Sequence, residues 1–181
     1  MWMVGLNAEY QLGTAGDTTT RTIFTRMTPA NFGSYPVVKF KCSKTNASYH
    51  TMMVLNANQD FYRWGYNGNY VLGTGNTTVK QTPLLMSGLT YPVVDFTTSG
   101  AQQYSSLIML DSNGGVRVCG YNSYGELSVG NQTAVQSQTA CLTGAATPMT
   151  DIIRIRNSGA ASYGAMFYLR GNGQIYSAGL S

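Results

Sequence analysis

The sequence predicts an all-β chain built from tandem copies of one β-rich unit. Three segments of the chain align on the same glycine, asparagine and leucine positions, and each copy contains the same strand–turn–strand block of sixteen residues. No stretch shows the 3.6-residue apolar period that is typical of an amphipathic helix. Because self-similarity at a fixed long period is the signature of propellers and solenoids, we expect a repeat architecture.

The repeat is recognised by a lead glycine, an asparagine two residues later and a leucine seven residues later. These positions are Gly5, Gly65 and Gly120, then Asn7, Asn67 and Asn122, then Leu12, Leu72 and Leu127, and Gly179 leads a fourth, partial copy. The lead glycines recur every 55 to 60 residues. We therefore predict a single repeat domain over 1–181, with copies at about 1–60, 61–115 and 116–173 and the start of a fourth at 174–181.

Each copy should contain a hairpin that ends at the next lead glycine. Two copies carry an Asn-Gly pair between the two apolar runs, which is the pair that tight hairpin turns favour. The first copy has Asn58-Gln59 instead, which predicts a looser turn. A further strand precedes each hairpin, and a fourth, weaker strand is expected in the PLLM segment and its counterparts. Residues two apart should face inward in the preceding strands: Val38 and Phe40, Val94 and Phe96, and Ile153 and Ile155.

The second copy reads WGYN at 64–67, LGTG at 72–75 and PVV at 92–94. This string resembles the repeat of the regulator of chromosome condensation 1 (RCC1) family, with its WGxN, GQLGxG and PxxV elements. Val4, Cys119 and Ala178 replace the family tryptophan in the other copies. The first GQLG glycine is kept only as Gly125 of the third copy, and Tyr10 and Tyr70 replace it in the first and second copies.

The resemblance implies RCC1-like propeller blades, here three blades plus a closing strand. Family rings usually have seven blades, and three blades cannot close a ring. Both ends of the sequence fall inside a repeat unit, so we expect the chain to be part of a larger propeller or to be completed by further subunits.

Composition restricts the partners. Charged residues make up 10% of the chain, against about 25% in ordinary soluble proteins, and the net charge is +4. Lys39 and Lys41 share one face of a predicted strand, and we favour a solvated strand face over a nucleic-acid patch, because no dense basic block with interleaved aromatic residues is present. Nucleic acid is therefore not an expected partner.

Metal, cofactor and membrane sites are not expected. Cys42, Cys119 and Cys141 lack the CxxC spacing of zinc sites, and His50 is the one histidine. No apolar run approaches the roughly 20 residues that span a bilayer. We predict buried or free thiols, no cofactor and no membrane insertion.

The sequence contains none of the common catalytic motifs, and we predict no catalytic residue and no enzyme activity. Tyrosines cluster in or near the segment after each lead glycine, where they would either pack between blades or form a recognition surface for protein or carbohydrate. The candidate surface residues are Tyr10, Tyr66, Tyr70, Tyr121 and Tyr124.

Low charge, abundant polar uncharged residues and degenerate repeats favour a non-enzymatic binding or structural module. The main prediction is a virion component, such as a phage tail-fibre, baseplate or capsid-surface protein, located in the virion and binding a host glycan or virion proteins. One alternative is an RCC1-type propeller that regulates a small GTPase or docks on chromatin. Another is a bacterial surface or scaffold repeat protein. The alternative location is the cytoplasm or the cell surface.

Overall fold

The computed structural model describes residues 1–43, 49–99, 104–144, 146–158 and 165–179. These residues form thirteen β-strands in four antiparallel sheets, with two short 3₁₀ turns at Pro29–Phe32 and Gly68–Tyr70. The strands are β1 (Trp2–Gly5), β2 (Arg21–Arg26), β3 (Val37–Cys42), β4 (Thr51–Asn56), β5 (Phe61–Gly65), β6 (Lys80–Leu85), β7 (Val93–Ser99), β8 (Ser106–Asp111), β9 (Val116–Gly120), β10 (Val135–Ala140), β11 (Ile152–Asn157), β12 (Met166–Arg170) and β13 (Ile175–Ala178).

Strands that follow one another in sequence are neighbours in each sheet. Two sheets have four strands, β3-β4-β5-β6 and β7-β8-β9-β10, while β1-β2 forms a two-stranded sheet and β11-β12-β13 a three-stranded one. Each complete sheet takes its first two strands from one sequence copy and its last two from the next. The all-β prediction of stacked antiparallel units is therefore confirmed.

The hydrophobic core lies between the sheets, and β4 contributes to both sides of it. Met53 and Leu55 belong to the larger apolar cluster, which is shared with β7–β10 and β11–β13. Met52 and Val54, whose side chains point the opposite way, belong to the cluster shared with the β1-β2 sheet. Every residue of β4 is consequently buried, which explains why this strand is an unbroken apolar run instead of an alternating one.

The three hairpins share one turn geometry. The N–H of Gln59, Gly114 and Gly173 each bonds to the carbonyl oxygen three residues earlier, at 3.0, 3.1 and 3.0 Å. All three residues have positive φ, 64° at Gln59 against 78° and 86° at the glycines. The looser turn predicted for the first copy is therefore wrong, because Gln59 adopts the left-handed conformation itself.

Four of the six residues predicted to face inward are exposed, and for three of them, Val38, Val94 and Ile153, the cause is a β-bulge in each first strand. In β7, Val93 pairs with Asp111 and Asp95 with Leu110, so Val94 is an extra residue without a partner. The extra residue shifts the alternation of side chains by one position. Val93 and Phe96, three apart, are buried at 1% exposure each.

The same bulge occurs in β3 and β11. Val38, Val94 and Ile153 are turned to solvent with 61%, 39% and 59% exposure. Ile155 is buried as predicted, whereas Phe40 is 64% exposed, because the two-stranded β1-β2 sheet does not cover it.

The first strands of the last three sheets, β3, β7 and β11, lie side by side, and we call them the inner strands. Lys41 of β3 donates a hydrogen bond to the Thr97 hydroxyl of β7 at 2.8 Å. Asn157 of β11 accepts from the same hydroxyl at 3.2 Å and donates to the carbonyl oxygen of Thr98 at 2.6 Å. The inner strands are thus joined by side chains rather than by a backbone ladder.

Candidate interaction surface

Each loop that follows a lead glycine is held by its asparagine. Asn67 is fully buried, and its Oδ1 accepts the backbone N–H of Leu72 at 2.9 Å. Its Nδ2 donates to Thr74 Oγ1 at 3.0 Å and to the carbonyl oxygens of Asn76 and Thr78 at 2.8 and 3.1 Å. In the other two loops, Asn7 Oδ1 accepts the N–H of Leu12 at 2.8 Å and Asn122 Oδ1 accepts the N–H of Leu127 at 2.9 Å. These side chains give the three loops one shape.

Each loop also packs against the following sheet. The indole Nε1 of Trp64 donates to the carbonyl oxygen of Gln11 in the first loop, at 3.0 Å. Cys119 holds the same repeat position, and its Sγ lies 3.4 Å from the corresponding carbonyl oxygen of Val71. Because a thiol can replace the indole as a weak donor to this carbonyl, the departure from the family tryptophan keeps the contact between loop and sheet.

A lead glycine is required where the third strand of each four-stranded sheet ends. Gly65 has a φ of +91°, and a Cβ there would lie 2.4 Å from the carbonyl oxygen of His50. That carbonyl accepts the N–H of Tyr66 at 2.9 Å. Gly120 is equally restricted, with a φ of +112° and a Cβ position 2.7 Å from the carbonyl oxygen of Ser105. The glycine therefore lets the chain turn directly over the start of the second strand.

Tyrosines meet in pairs at this edge of the two complete sheets. The ring of Tyr66 lies 4.8 Å from that of Tyr49, and the ring of Tyr121 lies 4.9 Å from that of Tyr104, centroid to centroid. Tyr124 adds a third ring, 6.2 Å from Tyr121. We call these five residues the tyrosine rim. The third-copy counterpart of Tyr49 and Tyr104, Tyr163, lies outside the described residues.

The rim is half-buried, and Tyr124 is its most exposed described member at 37%. Partial burial raises the pKa of Tyr66, and the neighbouring Tyr49 and Glu9 add to the effect. Burial likewise raises the pKa of Glu9. The Tyr66 hydroxyl is therefore neutral at physiological pH and can both donate and accept a hydrogen bond to a bound molecule.

Two of the five predicted surface tyrosines, Tyr10 and Tyr70, lie in turns and have no described ring contact with the rim. Their φ angles are 56° and 64°, in the left-handed region, and the equivalent residue of the third loop is Gly125 with a φ of 70°. A non-glycine residue in this conformation costs about 1 to 2 kcal/mol. The structure thus brings together Tyr66, Tyr121 and Tyr124 and leaves Tyr10 and Tyr70 as half-buried turn residues.

Sequence reasoning missed a charged cluster on the inner strands. The sequence predicts a solvated strand face for Lys39 and Lys41, but both are half-buried against β7, where Lys39 pairs with Asp95. Arg154 and Arg156 occupy the same two repeat positions in β11. That repeated placement of basic residues was the signal in the sequence.

A cavity of about 280 Å³ lies between β1 and β4 and contains Gln11, Cys42 and His50 among its lining residues. Cys42 Sγ is 3.7 Å from His50 Nδ1, but burial raises the pKa of the Cys42 thiol, which disfavours a reactive thiolate.

Within the described ranges, no group of three or more His, Cys, Asp or Glu residues is placed to hold a metal ion. In the same part of the chain, no helix is long and apolar enough to cross a membrane.

Comparison with known proteins gives weak sequence similarity to two relatives. No protein-family profile matches the chain. The zebrafish RCC2 homologue is 28% identical over 105 residues, which are 58% of this chain and 21% of the relative. Human RCC2 is 27% identical over 105 residues, 58% of this chain and 20% of the relative. The aligned region thus spans about a fifth of these curated relatives.

Similarity to solved structures extends over nearly the whole chain. Human WBSCR16 superposes with a TM-score of 0.73 at 17% identity, covering 98% of this chain and 42% of that one. Yeast RCC1 (Prp20), solved with bound Kap60, gives 0.65 at 16% identity over 98% and 39% of the two chains. Prp20p of Saccharomyces cerevisiae, described together with its binding to Gsp1p and histones, gives 0.68 at 16% identity over 99% and 40%.

These findings correct the predicted location. The virion location is wrong, because the proteins that the chain resembles are cellular proteins of zebrafish, human and yeast, and the cytoplasmic alternative fits them better. A virion function, a tail-fibre role and a host-glycan partner likewise have no support, whereas an RCC1-type interaction propeller with protein partners fits. Weak similarity to RCC2 and strong structural similarity agree, and the fold of the chain is that of RCC1-like β-propeller blades.

Proposed function

We propose that the chain is the protein-binding part of an RCC1-type interaction propeller and that the tyrosine rim contacts the partner. The supporting observation is the repetition of one aromatic pair, Tyr49–Tyr66 and Tyr104–Tyr121, at the same edge of two adjacent sheets. Paired, half-buried tyrosines lose little side-chain entropy on binding and offer both apolar area and hydroxyl groups. Such residues are the usual energetic centres of protein interfaces.

The strained turns support the same proposal. Tyr10 and Tyr70 keep an aromatic side chain in a conformation that glycine adopts in the third loop. Strain of this kind is concentrated at functional sites, where the side chain offsets the backbone cost. We therefore propose that Tyr10 and Tyr70 extend the contact surface along the loops.

For the partner, the finer proposal is a small GTPase, with histones as the chromatin alternative. The support is that yeast Prp20p, to which the fold is similar, is described with its binding to Gsp1p and histones. The chain aligns with only 40% of that protein, so binding, rather than a complete regulatory activity, is the property to test.

The test measures binding of the purified chain to immobilised Gsp1p and to histones. Replacing Tyr66 and Tyr121 together by leucine keeps most of the packing and removes both hydroxyl groups. We expect this variant to lose at least tenfold in affinity, since truncating a central tyrosine costs about 1 to 2 kcal/mol.

The matched control is Tyr91→Leu together with Tyr35→Leu. Both tyrosines are exposed, at 43% and 46%, and directly precede the inner strands at the opposite edge of the sheets. The control should bind like the unchanged chain. Equal losses in the two double variants, or no binding of the unchanged chain to either partner, would refute the proposal.

We further propose that additional strands or blades, from the same polypeptide or from another subunit, complete the two-stranded β1-β2 sheet and pack on the sheets at the two ends. The support is one repeat position in three sheets. Phe96 and Ile155, which follow a four-stranded sheet, are 1% and 0% exposed, whereas Phe40, which follows the two-stranded sheet, is 64% exposed. Light scattering on the purified chain tests the subunit version. A monomer that stays soluble at high concentration, with Phe40 freely reactive to hydroxyl-radical labelling, would contradict packing by a second copy.

A further inference from the structure

The inner strands place basic residues at matching positions in two sheets. Lys39, Asp95 and Arg154 hold one repeat position of β3, β7 and β11, and Lys41, Thr97 and Arg156 hold the position two residues later. Because side chains two apart in a strand share a face, β3 and β11 each present two cations about 7 Å apart. The middle strand presents one carboxylate and one hydroxyl.

Asp95 is shared between two of these cations. Its carboxylate contacts the ammonium of Lys39 from one side, and its Oδ2 lies 3.6 Å from Arg156 Nη1 on the other. Lys41 is held by the Thr97 hydroxyl, which is neutral. Lys39, Lys41 and Arg156 therefore lie around one carboxylate, and the cluster keeps a net positive charge. Arg154 lies two residues before Arg156 and so shares its face of β11.

The surroundings of Lys39 and Lys41 disfavour the charged forms of both side chains. Burial of the ammonium lowers the pKa of Lys39, and the positive charges of Lys41 and Arg156 lower it further in spite of Asp95. Burial and Arg156 lower the pKa of Lys41 in the same way. An anion placed among these groups would relieve both the desolvation and the mutual repulsion.

We propose that the inner-strand cluster binds an extended acidic protein segment, with carboxylates on alternate residues facing Lys39, Lys41, Arg154 and Arg156. An extended chain repeats its side chains at about the same spacing as the paired cations. Arginine offers the planar fork that matches a carboxylate, and side-chain exposure of 63% leaves Arg156 accessible. This inference rests on the proposed role in protein binding and names a class of partner.

A protein segment fits the cluster better than nucleic acid does. Single-stranded nucleic acid is bound by long basic tracks with exposed aromatic platforms. Here the aromatic ring in contact with Lys39 is that of Phe96, which lies under the ammonium at 4.9 Å and is 1% exposed. The ring of Phe96 is therefore not available for a base to stack on.

The experiment uses fluorescence anisotropy with a labelled peptide of roughly eight residues that alternates Glu and Ser, long enough to cover both pairs of cations. The unchanged chain should bind it with an affinity that falls as salt rises from about 50 to 200 mM. Arg154→Gln and Arg156→Gln should each weaken binding about fivefold, and the double variant should weaken it by about twentyfold or more. Arg26→Gln, at an exposed position in the outer strand β2, is the matched control for loss of charge and should bind normally.

Three results would overturn the inference: no binding of the peptide, equal weakening by Arg26→Gln, or a single-stranded oligonucleotide that binds more tightly and depends on the same arginines. The Tyr66→Leu and Tyr121→Leu double variant separates the two proposals. It should keep peptide binding while losing the rim partner. If the unchanged chain does not bind the acidic peptide but still binds the partner of the tyrosine rim, only the inner-strand inference is refuted.

Discussion

Asn67→Asp is the sharpest test of how the loops are held. The substitution changes one NH₂ group into an oxygen and leaves the size of the side chain unchanged. The retained oxygen can still accept the N–H of Leu72. The new oxygen instead faces Thr74 Oγ1 and the carbonyl oxygens of Asn76 and Thr78, within 2.8 to 3.1 Å.

Its cost can be estimated from these contacts. Three donated hydrogen bonds are lost, and at neutral pH a negative charge is left in a fully buried position against two carbonyl dipoles. A buried charge without a partner costs about 3 to 5 kcal/mol. Asn67→Ala, which removes all the bonds but adds no charge, should cost about 2 to 4 kcal/mol. We expect Asn67→Asp to be the worse of the two at pH 7, although it is closer in shape.

Urea unfolding followed by tryptophan fluorescence measures both variants. A loss of 4 kcal/mol lowers the unfolding midpoint by about 2 M urea, for a slope of about 2 kcal/mol/M. At about pH 4 the acid form can donate one hydrogen bond, so part of the loss should be recovered.

Asn131→Asp is the control for this experiment. Asn131 is exposed, and its Oδ1 accepts the N–H of Thr133 at 2.9 Å, a bond that a carboxylate keeps. Its stability should change by less than about 0.5 kcal/mol. The reasoning is wrong if Asn67→Asp is no worse than this control, or if Asn67→Ala is the more damaging change at pH 7.

Three further predictions concern single buried or strained groups. Burial raises the pKa of Glu126 above its ordinary value of 4.5, so the folded state favours the neutral acid, and its contribution to stability is present below that value and lost as pH rises through the folded pKa. Glu126→Gln should therefore raise the unfolding midpoint at pH 7, with a gain that disappears at about pH 4, and equal gains at both pH values would exclude this cause. Trp64→Phe keeps an aromatic ring in the core but leaves a gap and removes the indole donor from the Gln11 carbonyl oxygen, so calorimetry should show a loss of at least about 1 to 2 kcal/mol, whereas an unchanged melting temperature would mean that this bond does not hold the loop. Tyr70→Gly should be about 1 kcal/mol more stable than Tyr70→Ala in urea, because only glycine relieves the strain of a φ of 64°; the reverse order would contradict that strain.

Much of the fold could be predicted from local sequence patterns. The repeated apolar runs predicted the hairpins, and the fourth, weaker strand was expected where β2, β6 and β10 are found. Local rules failed at one turn, since the sequence of Asn58-Gln59 does not reveal that Gln59 takes the conformation of the glycines in the other copies.

The candidate surface was predicted less completely. The clustering of tyrosines after the lead glycines indicated Tyr66, Tyr121 and Tyr124. The rings that contact Tyr66 and Tyr121, those of Tyr49 and Tyr104, lie seventeen residues earlier in the chain. These residues meet because the hairpin brings the start of its first strand beside the end of its second. The virion location predicted from composition was wrong, because a polar, weakly charged surface is compatible with many kinds of protein.

The sequence by itself determined the repeating unit, the strands and the asparagine-held loops, since each of these depends on neighbours close along the chain. Only the tertiary structure decided which side chains face which way on the inner strands. There, one extra residue in each first strand reverses the alternation, and a bulge is defined by pairing with a partner strand. The same long-range packing brings Lys39, Asp95 and Arg156 together from three separate sheets, which no local pattern specifies.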